Sequence, residues 1–595
     1  MLLLFNYTNL SSYNKLTLSS FPVHYELNKR EYFFENERVV LFLISNANVK
    51  HDISLLFKKE SVKIDFLKPF LQGDYFGVFI EKHIEQITVI RDESGINSGY
   101  YYHDPINKNL IIASVMHDIT NFVPCELSKE TIFQFLYSDY LWDGQTFYNQ
   151  VKEFKVGEEC IFDKNLHLID KKEFKIQFSS VENTLTEEEN IKTLRKKIAD
   201  AHKKYLNDQN IVLLSGGIDS VAMLIALDDL LDKKRIKAYS YKVKNAINAD
   251  ETVYAKSIAN HLNINIEIFE RELKEQIEPE DFQKLVLKMN NPYMGVHIFN
   301  NNFENNEFVT YYAGQDTRLH TPSVNKLDLF AFNLINKPKI IIKTLNWFVS
   351  LIRPLFKPFF NSKNRNLRGL LRLTYVFDIQ KYVQKYYFKI DKAYLESYHL
   401  PTEFYNKFKT KYYIDLNKIY NQRGLYNTIV ELKWKEQYVS DIKYIQDMAR
   451  MSDSYIAMPF YDMNLAKYKA TIPFKLTTKA MFGKSGFGEN KKVVFKYLLR
   501  MSLKDKIDKK TLYRSKAAPA TFYILFNEKF TNVLKKIFVV DLNSEESFIK
   551  NYHLNDFVDK FLTKSSAWEE KDQGYLLKIY NTAAIICYYR NSKYK

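Results

Sequence analysis

The sequence predicts an α/β protein of two parts, a strand-rich N-terminal region followed by a doubly wound parallel sheet whose C-terminal part is mostly helical. Three observations carry this. Short apolar or alternating runs separated by turn signals fill residues 1 to about 178, strand and helix patterns alternate from about 187 to 312, and helical periodicity dominates from about 325 onward.

In the first region, strands are predicted at Val39–Ile44, Tyr75–Ile80, Ile87–Ile90 and Leu110–Ala113, with turns at Gln72-Gly-Asp and Glu93-Ser-Gly. Thr184-Leu-Thr-Glu-Glu-Glu189 reads as a capped helix start, and the helix from about 187 to 206 leads into Ile211–Leu214, a short buried strand. Strand Ile236–Val243, a helix from about Asp250 to Leu262, and strands Ile264–Phe269 and Phe308–Tyr312 follow. That alternation predicts the parallel sheet.

At 595 residues, 46% hydrophobic and 26% charged, the chain is long enough for two or more domains. Cys125, Cys160 and Cys587 are its three cysteines and lie far apart, which argues against a disulfide framework or a cysteine metal site and fits a reducing compartment. The start, Met-Leu-Leu-Leu-Phe-Asn-Tyr, lacks a basic n-region, and no run of about 18 apolar residues occurs, so a cytoplasmic protein is expected. Charge is uneven. Residues 1–190 hold 19 Lys and Arg against 28 Asp and Glu, whereas the remainder holds 67 against 42. The basic part can serve a polyphosphate or an acidic partner, or be a solvated lysine-rich surface.

The most informative stretch is Ser215-Gly-Gly-Ile-Asp-Ser220, a glycine turn between the Ile211–Leu214 strand and the apolar helical run Val221–Leu227. Unpaired amides and the positive dipole end of a helix N-terminus bind anions, and glycines let the backbone approach a pyrophosphate. Ser215, Gly216, Gly217 and Ser220, with Leu213 at the strand end, are therefore the candidate nucleotide-binding residues. A carboxylate beside phosphate needs an intervening cation, which makes Asp219 a candidate Mg²⁺ ligand. The alternative is an ordinary strand-to-helix turn, with Asp219 a first-turn acid favoured by the dipole.

The hexapeptide resembles the PP-loop of the ATP pyrophosphatase superfamily, and no lysine follows its glycines as in a GxxxxGK[ST] loop. More of the chain resembles the asparagine synthetase-like branch of that superfamily. Ser240-Tyr-Lys-Val243 with Glu251, Ala255 and Ala259 is similar to the adenosine-side strand and helix, which places the backbone near Tyr241 at adenine. Met458-Pro-Phe-Tyr-Asp462 resembles R-x-PF-L-D, and Lys496-Tyr-Leu-Leu-Arg500 and Tyr513-Arg-Ser-Lys516 resemble K-x-x-L-R and R-x-K. In the family the segment corresponding to Tyr311–His320 carries glycines that pack on the nucleotide and an Asp that helps bind Mg²⁺. Here it shortens to Ala313-Gly-Gln-Asp316, which leaves Gly314 and Asp316 as the counterparts.

The N-terminal part resembles a class II glutamine amidotransferase domain through Leu71–Val78, Arg91-Asp-Glu-Ser-Gly95, Ala113-Ser114 and Phe154-Lys-Val-Gly157. The resemblance implies an Ntn-hydrolase-like αββα sandwich over 1–180 and an adenine nucleotide α-hydrolase-like PP-loop domain over 187–595 with a basic helical insertion at about 324–425. The sandwich is degenerate. Position 2 is Leu, no cysteine precedes Cys125, and the glutamine-gripping segment is reduced to Ser45-Asn-Ala-Asn48, so glutaminase activity is not expected. This combination is similar to β-lactam synthetases and lasso peptide macrolactam cyclases, in which a substrate amine replaces ammonia.

The resemblance implies ATP and Mg²⁺ as cofactors, with Asp219 and Asp316 on the metal. A carboxylate is activated as acyl-AMP and passed to an amine of a peptide or specialised metabolite. Lys496 is the candidate cation over the reacting centre, and Glu431 is a candidate acid for amine deprotonation. An asparagine synthetase using ammonia, a sugar-acid amidating enzyme, a tRNA-modifying PP-loop enzyme and a silent binding protein are the alternatives. Substrate partners are small-molecule or peptide carboxylates and amines, with a leader peptide or precursor protein conceivable and nucleic acid not expected. Between Lys337 and Val376 stand nine Lys/Arg and no acid, interleaved with Trp347, Phe348, Phe356, Phe359 and Phe360. That stretch suits an acidic or peptide substrate, peripheral contact with an anionic membrane, or a plain solvated face.

Overall fold

A computed structural model gives the fold. It describes the chain except residues 8–11, 29–30, 59–61, 72–73, 143, 175, 244–249, 272–277, 293–302, 304–305, 315–325, 356–371, 389, 391, 436–438, 481–492, 515–524, 565–567, 570–571 and 594–595.

Two six-stranded antiparallel sheets make the N-terminal region. The first runs β10 (Lys152–Glu153), β8 (Tyr100–Asp104), β9 (Asn109–Ala113), β1 (Leu2–Phe5), β3 (Pro22–Glu26), β2 (Asn14–Thr17). The second runs β12 (Leu168–Glu173), β11 (Glu158–Phe162), β7 (Gln86–Arg91), β6 (Tyr75–Glu81), β5 (Val39–Ser45), β4 (Glu31–Glu35). Period-two alternation decides their packing. Leu3 and Phe5 of β1 share one core with Val40, Phe42, Phe76 and Val78 of the facing sheet. Leu2 and Leu4 instead point outward to α3 (Met116–Ile119) and α4 (Lys129–Ser138). On the other side, Leu41 and Leu43 meet α1 (Lys50–Phe57) and α2 (Ile64–Leu71) through Ile53, Phe57 and Leu67. Helices thus cover the outer face of each sheet.

The capping box appears at Thr186: its hydroxyl accepts from the Glu189 amide, the Glu189 carboxylate accepts from the Thr186 amide, and α5 runs Glu187–Lys203. It enters a five-stranded parallel sheet ordered β15 (Asn265–Arg271), β14 (Ile236–Val243), β13 (Gln209–Leu213), β16 (Val309–Tyr312), β17 (Tyr455–Ala457). The crossovers include α6 (Ile218–Asp228) and α7 (Thr252–His261), and α8 (Pro279–Val286) follows β15. Strand succession reverses between β13 and β16, the place where an open parallel sheet leaves a crevice at its carboxyl ends. Beyond β16 the described chain is mainly helical, beginning with α9 (Lys326–Asn333) and α10 (Lys339–Ile352). Among the described residues, no helix is long and apolar enough to cross a membrane.

Buried polar contacts join the N-terminal sheets to the helical part. Glu153 of β10 is held between Arg91 of β7 at 2.8 Å and Lys443 of the helix Val439–Met451 at 2.7 Å. Asn290 donates to the Ser114 carbonyl at 2.9 Å, accepts from the Met116 amide at 3.0 Å, and gives its own amide to Asp447 at 2.9 Å.

Candidate functional site

The glycine turn sits at the carboxyl end of β13, beside the reversal in strand order. Ile211, Val212 and Leu214 are buried, as an apolar run between two parallel neighbours requires. α6 begins at Ile218 with Gly217 as its N-cap, three residues earlier than the apolar run alone suggests, so Asp219 and Ser220 occupy the first helical turn. Ser220 fixes the turn from inside. Its hydroxyl accepts from the Ser215 amide at 3.2 Å and donates to the Gly217 carbonyl at 3.0 Å.

Gly216 adopts φ +67°, the left-handed region that costs other L-residues about 1–2 kcal/mol. A Cβ there would also lie 3.1 Å from Arg514 Nη1 and 3.1 Å from Tyr254 Cβ. Gly314, just after β16, packs against the first turn of α6. A Cβ on it would come 3.2 Å from the Ser220 amide nitrogen and 3.1 Å from Met223 Sδ. Gly314 therefore lets the chain after β16 approach the N-terminus of α6, and Gly216 lets the start of α7 and Arg514 approach the turn.

Cations surround the turn. Lys496 Nζ is 2.5 Å from Asp219 Oδ2. Arg514 donates to the Gly216 carbonyl at 2.9 Å and to Glu251 at 3.0 Å, and its guanidinium lies 3.7 Å from the centre of the Tyr254 ring. Arg500, on the short helix Tyr497–Met501, donates to the carbonyls of Leu512 and Arg514. Burial lowers the Arg500 pKa, while the nearby Asp219 charge pulls it upward. Lys496 is the N-cap of that helix at φ +56°, so the chain turns sharply at the residue whose amine reaches Asp219.

β13 ends its pairing with β14 at Leu213 opposite Tyr239, so Ser240 to Val243 extend past it along the crevice. Tyr241 stacks on Phe269 of β15 at 5.7 Å between ring centres. The structure therefore gathers Leu213, Ser215, Gly216, Gly217, Asp219, Ser220, Gly314 and Lys496 at one end of the sheet, with Tyr241 on its flank. Asp316 lies outside the described residues. Glu431, on the helix Gln422–Lys433, accepts from the Phe178 amide at 2.6 Å, and no hydrogen bond or ion pair among the described residues links it to the turn. Burial raises its pKa, against the lowering effect of that amide.

The arrangement suits a polyphosphate. A glycine-lined turn, a helix N-terminus and three nearby cations form a cradle that a Cβ would fill. Mg²⁺ commonly takes one or two carboxylates plus substrate phosphates, and Asp219 has the position for one of them. Among the described residues, no group of three or more His, Cys, Asp or Glu could hold a metal ion without such phosphates.

Residues 193–295 match the family model described as Asparagine synthase. The matched stretch takes in most of α5, β13 with the glycine turn, α6, β14, α7, β15 and α8. No curated protein sequence matches the chain. Gly314, Lys496, Arg500 and Arg514 lie beyond the matched residues, and their place at the site comes from the fold. Arg500 and Arg514 were visible in the sequence only as members of the K-x-x-L-R and R-x-K resemblances. Their approach to residues about 280 to 300 positions earlier needs the tertiary structure.

Proposed function

We propose that the protein is an ATP-dependent amide-forming ligase that activates a carboxylate as acyl-AMP, releases pyrophosphate, and transfers the acyl group to an amine of a peptide or specialised metabolite. The observation that carries this reading is the convergence of Lys496 and Arg514 on the Ser215–Ser220 turn of an asparagine synthase domain.

In this reading the Gly216 and Gly217 backbone and Arg514 hold the β and γ phosphates of ATP. A substrate carboxylate oxygen attacks the α-phosphorus as its bond to the pyrophosphate oxygen breaks. Asp219, with Asp316 as the counterpart implied by the resemblance, would hold Mg²⁺, which would offset charge on the phosphate oxygens. The amine nitrogen then attacks the acyl carbon and AMP leaves with the former carboxylate oxygen. Lys496 stabilises the oxyanion of that step, a role for which a preorganised cation is worth several kcal/mol.

The N-terminal region, residues 1–180, serves in this account as a degenerate Ntn-hydrolase-like sandwich without glutaminase activity. Cys125 and Cys160, the cysteines of that region, are both buried, which supports this. Burial, with Glu158 alongside, pushes the Cys160 thiol up to about 12, far from the thiolate a nucleophile needs.

ATP–pyrophosphate exchange, screened with aspartate and with candidate peptide and metabolite carboxylates, tests the substrate class. Exchange driven by peptide or metabolite carboxylates is expected. Exchange driven by aspartate alone, with ammonia as acceptor, would replace this reading with asparagine synthesis.

A further inference from the structure

α10 is amphipathic in the wrong sense for a helix that completes a core. Ile342, Asn346, Val349 and Arg353, spaced by three or four residues, form its half-buried stripe. Arg353 anchors it there, donating to the Thr374 carbonyl at 2.8 Å and lying over the Tyr375 ring at 4.3 Å. The other side carries the larger apolar groups, and water reaches them: Ile340 is 75% exposed, Trp347 62%, Phe348 63%, Leu351 60% and the following Leu355 72%. No residue of α10 is buried. A contiguous apolar face of this kind on a globular protein marks an interaction surface.

Charge decides what covers it. Lys339 and Lys343 stand exposed on the same helix, Lys337 just before it, and no acid occurs from Lys337 to Val376. The cores of protein interfaces are depleted of lysine, whereas apolar faces flanked by lysine and arginine match the boundary between acyl chains and anionic headgroups. Fourteen residues span about 21 Å, less than the roughly 30 Å hydrocarbon core, so such a helix lies along the surface.

We infer that α10 is a membrane-docking element: Ile340, Trp347, Phe348, Leu351 and Leu355 enter the headgroup boundary of an anionic bilayer while the flanking lysines meet lipid phosphates.

Flotation of the full-length protein with vesicles of phosphatidylcholine alone, and of phosphatidylcholine mixed with phosphatidylglycerol, tests this. Wild type is expected to float with the anionic vesicles and to stay behind with the neutral ones. The double variant Trp347→Glu, Phe348→Glu is expected to bind the anionic vesicles about tenfold or more weakly. Its thermal midpoint is expected to stay at the wild-type value, because both side chains are exposed. Trp347 emission should shift to the blue on anionic vesicles, and the shift should vanish in Trp347→Phe while flotation persists. Wild type that does not float, or a double variant that floats equally well, overturns the proposal. So does a dimer of the wild type that the double variant dissolves with no vesicle binding by either, since the face would then meet a second copy of the chain.

Discussion

Lys496 Nζ lies 2.5 Å from Asp219 Oδ2, joining the start of the helix Tyr497–Met501 to the first turn of α6 across 277 positions of sequence. The pair bears on the helical end of the turn, while Arg514 contacts it at the Gly216 carbonyl. It also keeps an ammonium beside the carboxylate of the turn, so the groups proposed to bind metal and to stabilise charge share a contact.

Replacing Lys496 by Met removes the cation and keeps most of the stem. Single-turnover AMP formation is expected to fall by about 10²–10³-fold, the range seen when one oxyanion donor is lost. Mg·ATP affinity, measured by calorimetry, should fall far less, because the turn and Arg514 remain. Parallel losses in affinity and rate would place Lys496 in ground-state binding instead.

Gly216→Ala tests the turn itself. At φ +67° with Arg514, Tyr254 and the Ala255 amide all near 3.1–3.3 Å from the added methyl, both the backbone and the neighbours must move. A stability loss of about 1–2 kcal/mol in denaturant unfolding is expected from the backbone alone. ATP binding should weaken with it. An unchanged midpoint together with unchanged ATP affinity would show that the turn does not need this geometry.

The sequence made the local parts of this site legible because local chemistry decides them. β14 forms over Ile236–Val243, the span its apolar pattern predicts, and the Thr186–Glu189 capping box starts α5. β13 starts two residues earlier than its apolar core, at Gln209. Its side-chain neighbours set the burial, while the ladder to β14 and β16 sets the ends. Long-range closure was less legible. Nothing near Arg514 in sequence shows that it reaches the Gly216 carbonyl, and nothing near Glu431 shows that its carboxylate accepts from the Phe178 amide. The packing of α10 needs the fold as well: Ile342, Asn346 and Val349, with Arg353 just past its end, are half-buried, while its larger apolar groups stay exposed.

Glu153 carries a pH prediction. Burial alone would raise its pKa, but the charges of Lys443 and Arg91 win and hold the carboxyl below its usual value. A lowered folded-state pKa contributes stability above the unfolded value, and that contribution is lost as pH falls through the folded one. Glu153→Ala leaves two buried cations without their carboxylate, and a loss of about 3–5 kcal/mol is expected at neutral pH. The deficit should shrink in acid, as wild type loses its own ion pair. Equal deficits at neutral and strongly acidic pH would contradict this.

Glu431 has the opposite sign. Its raised pKa means the folded state holds the proton more tightly, so the charged form destabilises once pH rises above the folded value and costs nothing below the unfolded one. Glu431→Gln keeps an oxygen for the Phe178 amide and should raise the thermal midpoint at pH 8, with the gain fading in acid. AMP formation should be retained. A drop of a hundredfold or more in a stable variant would assign Glu431 the general-base role that its residue type suggested.

The proposed function requires cleavage of ATP between the α and β phosphates at the Ser215–Ser220 turn. Its most direct measurement is the nucleotide product formed from α-labelled ATP, with Mg²⁺, a competent carboxylate and an amine, by wild type and by Asp219→Ala. AMP and pyrophosphate are expected from wild type and neither from the variant. Formation of ADP and phosphate, or AMP release that survives Asp219→Ala, would contradict it.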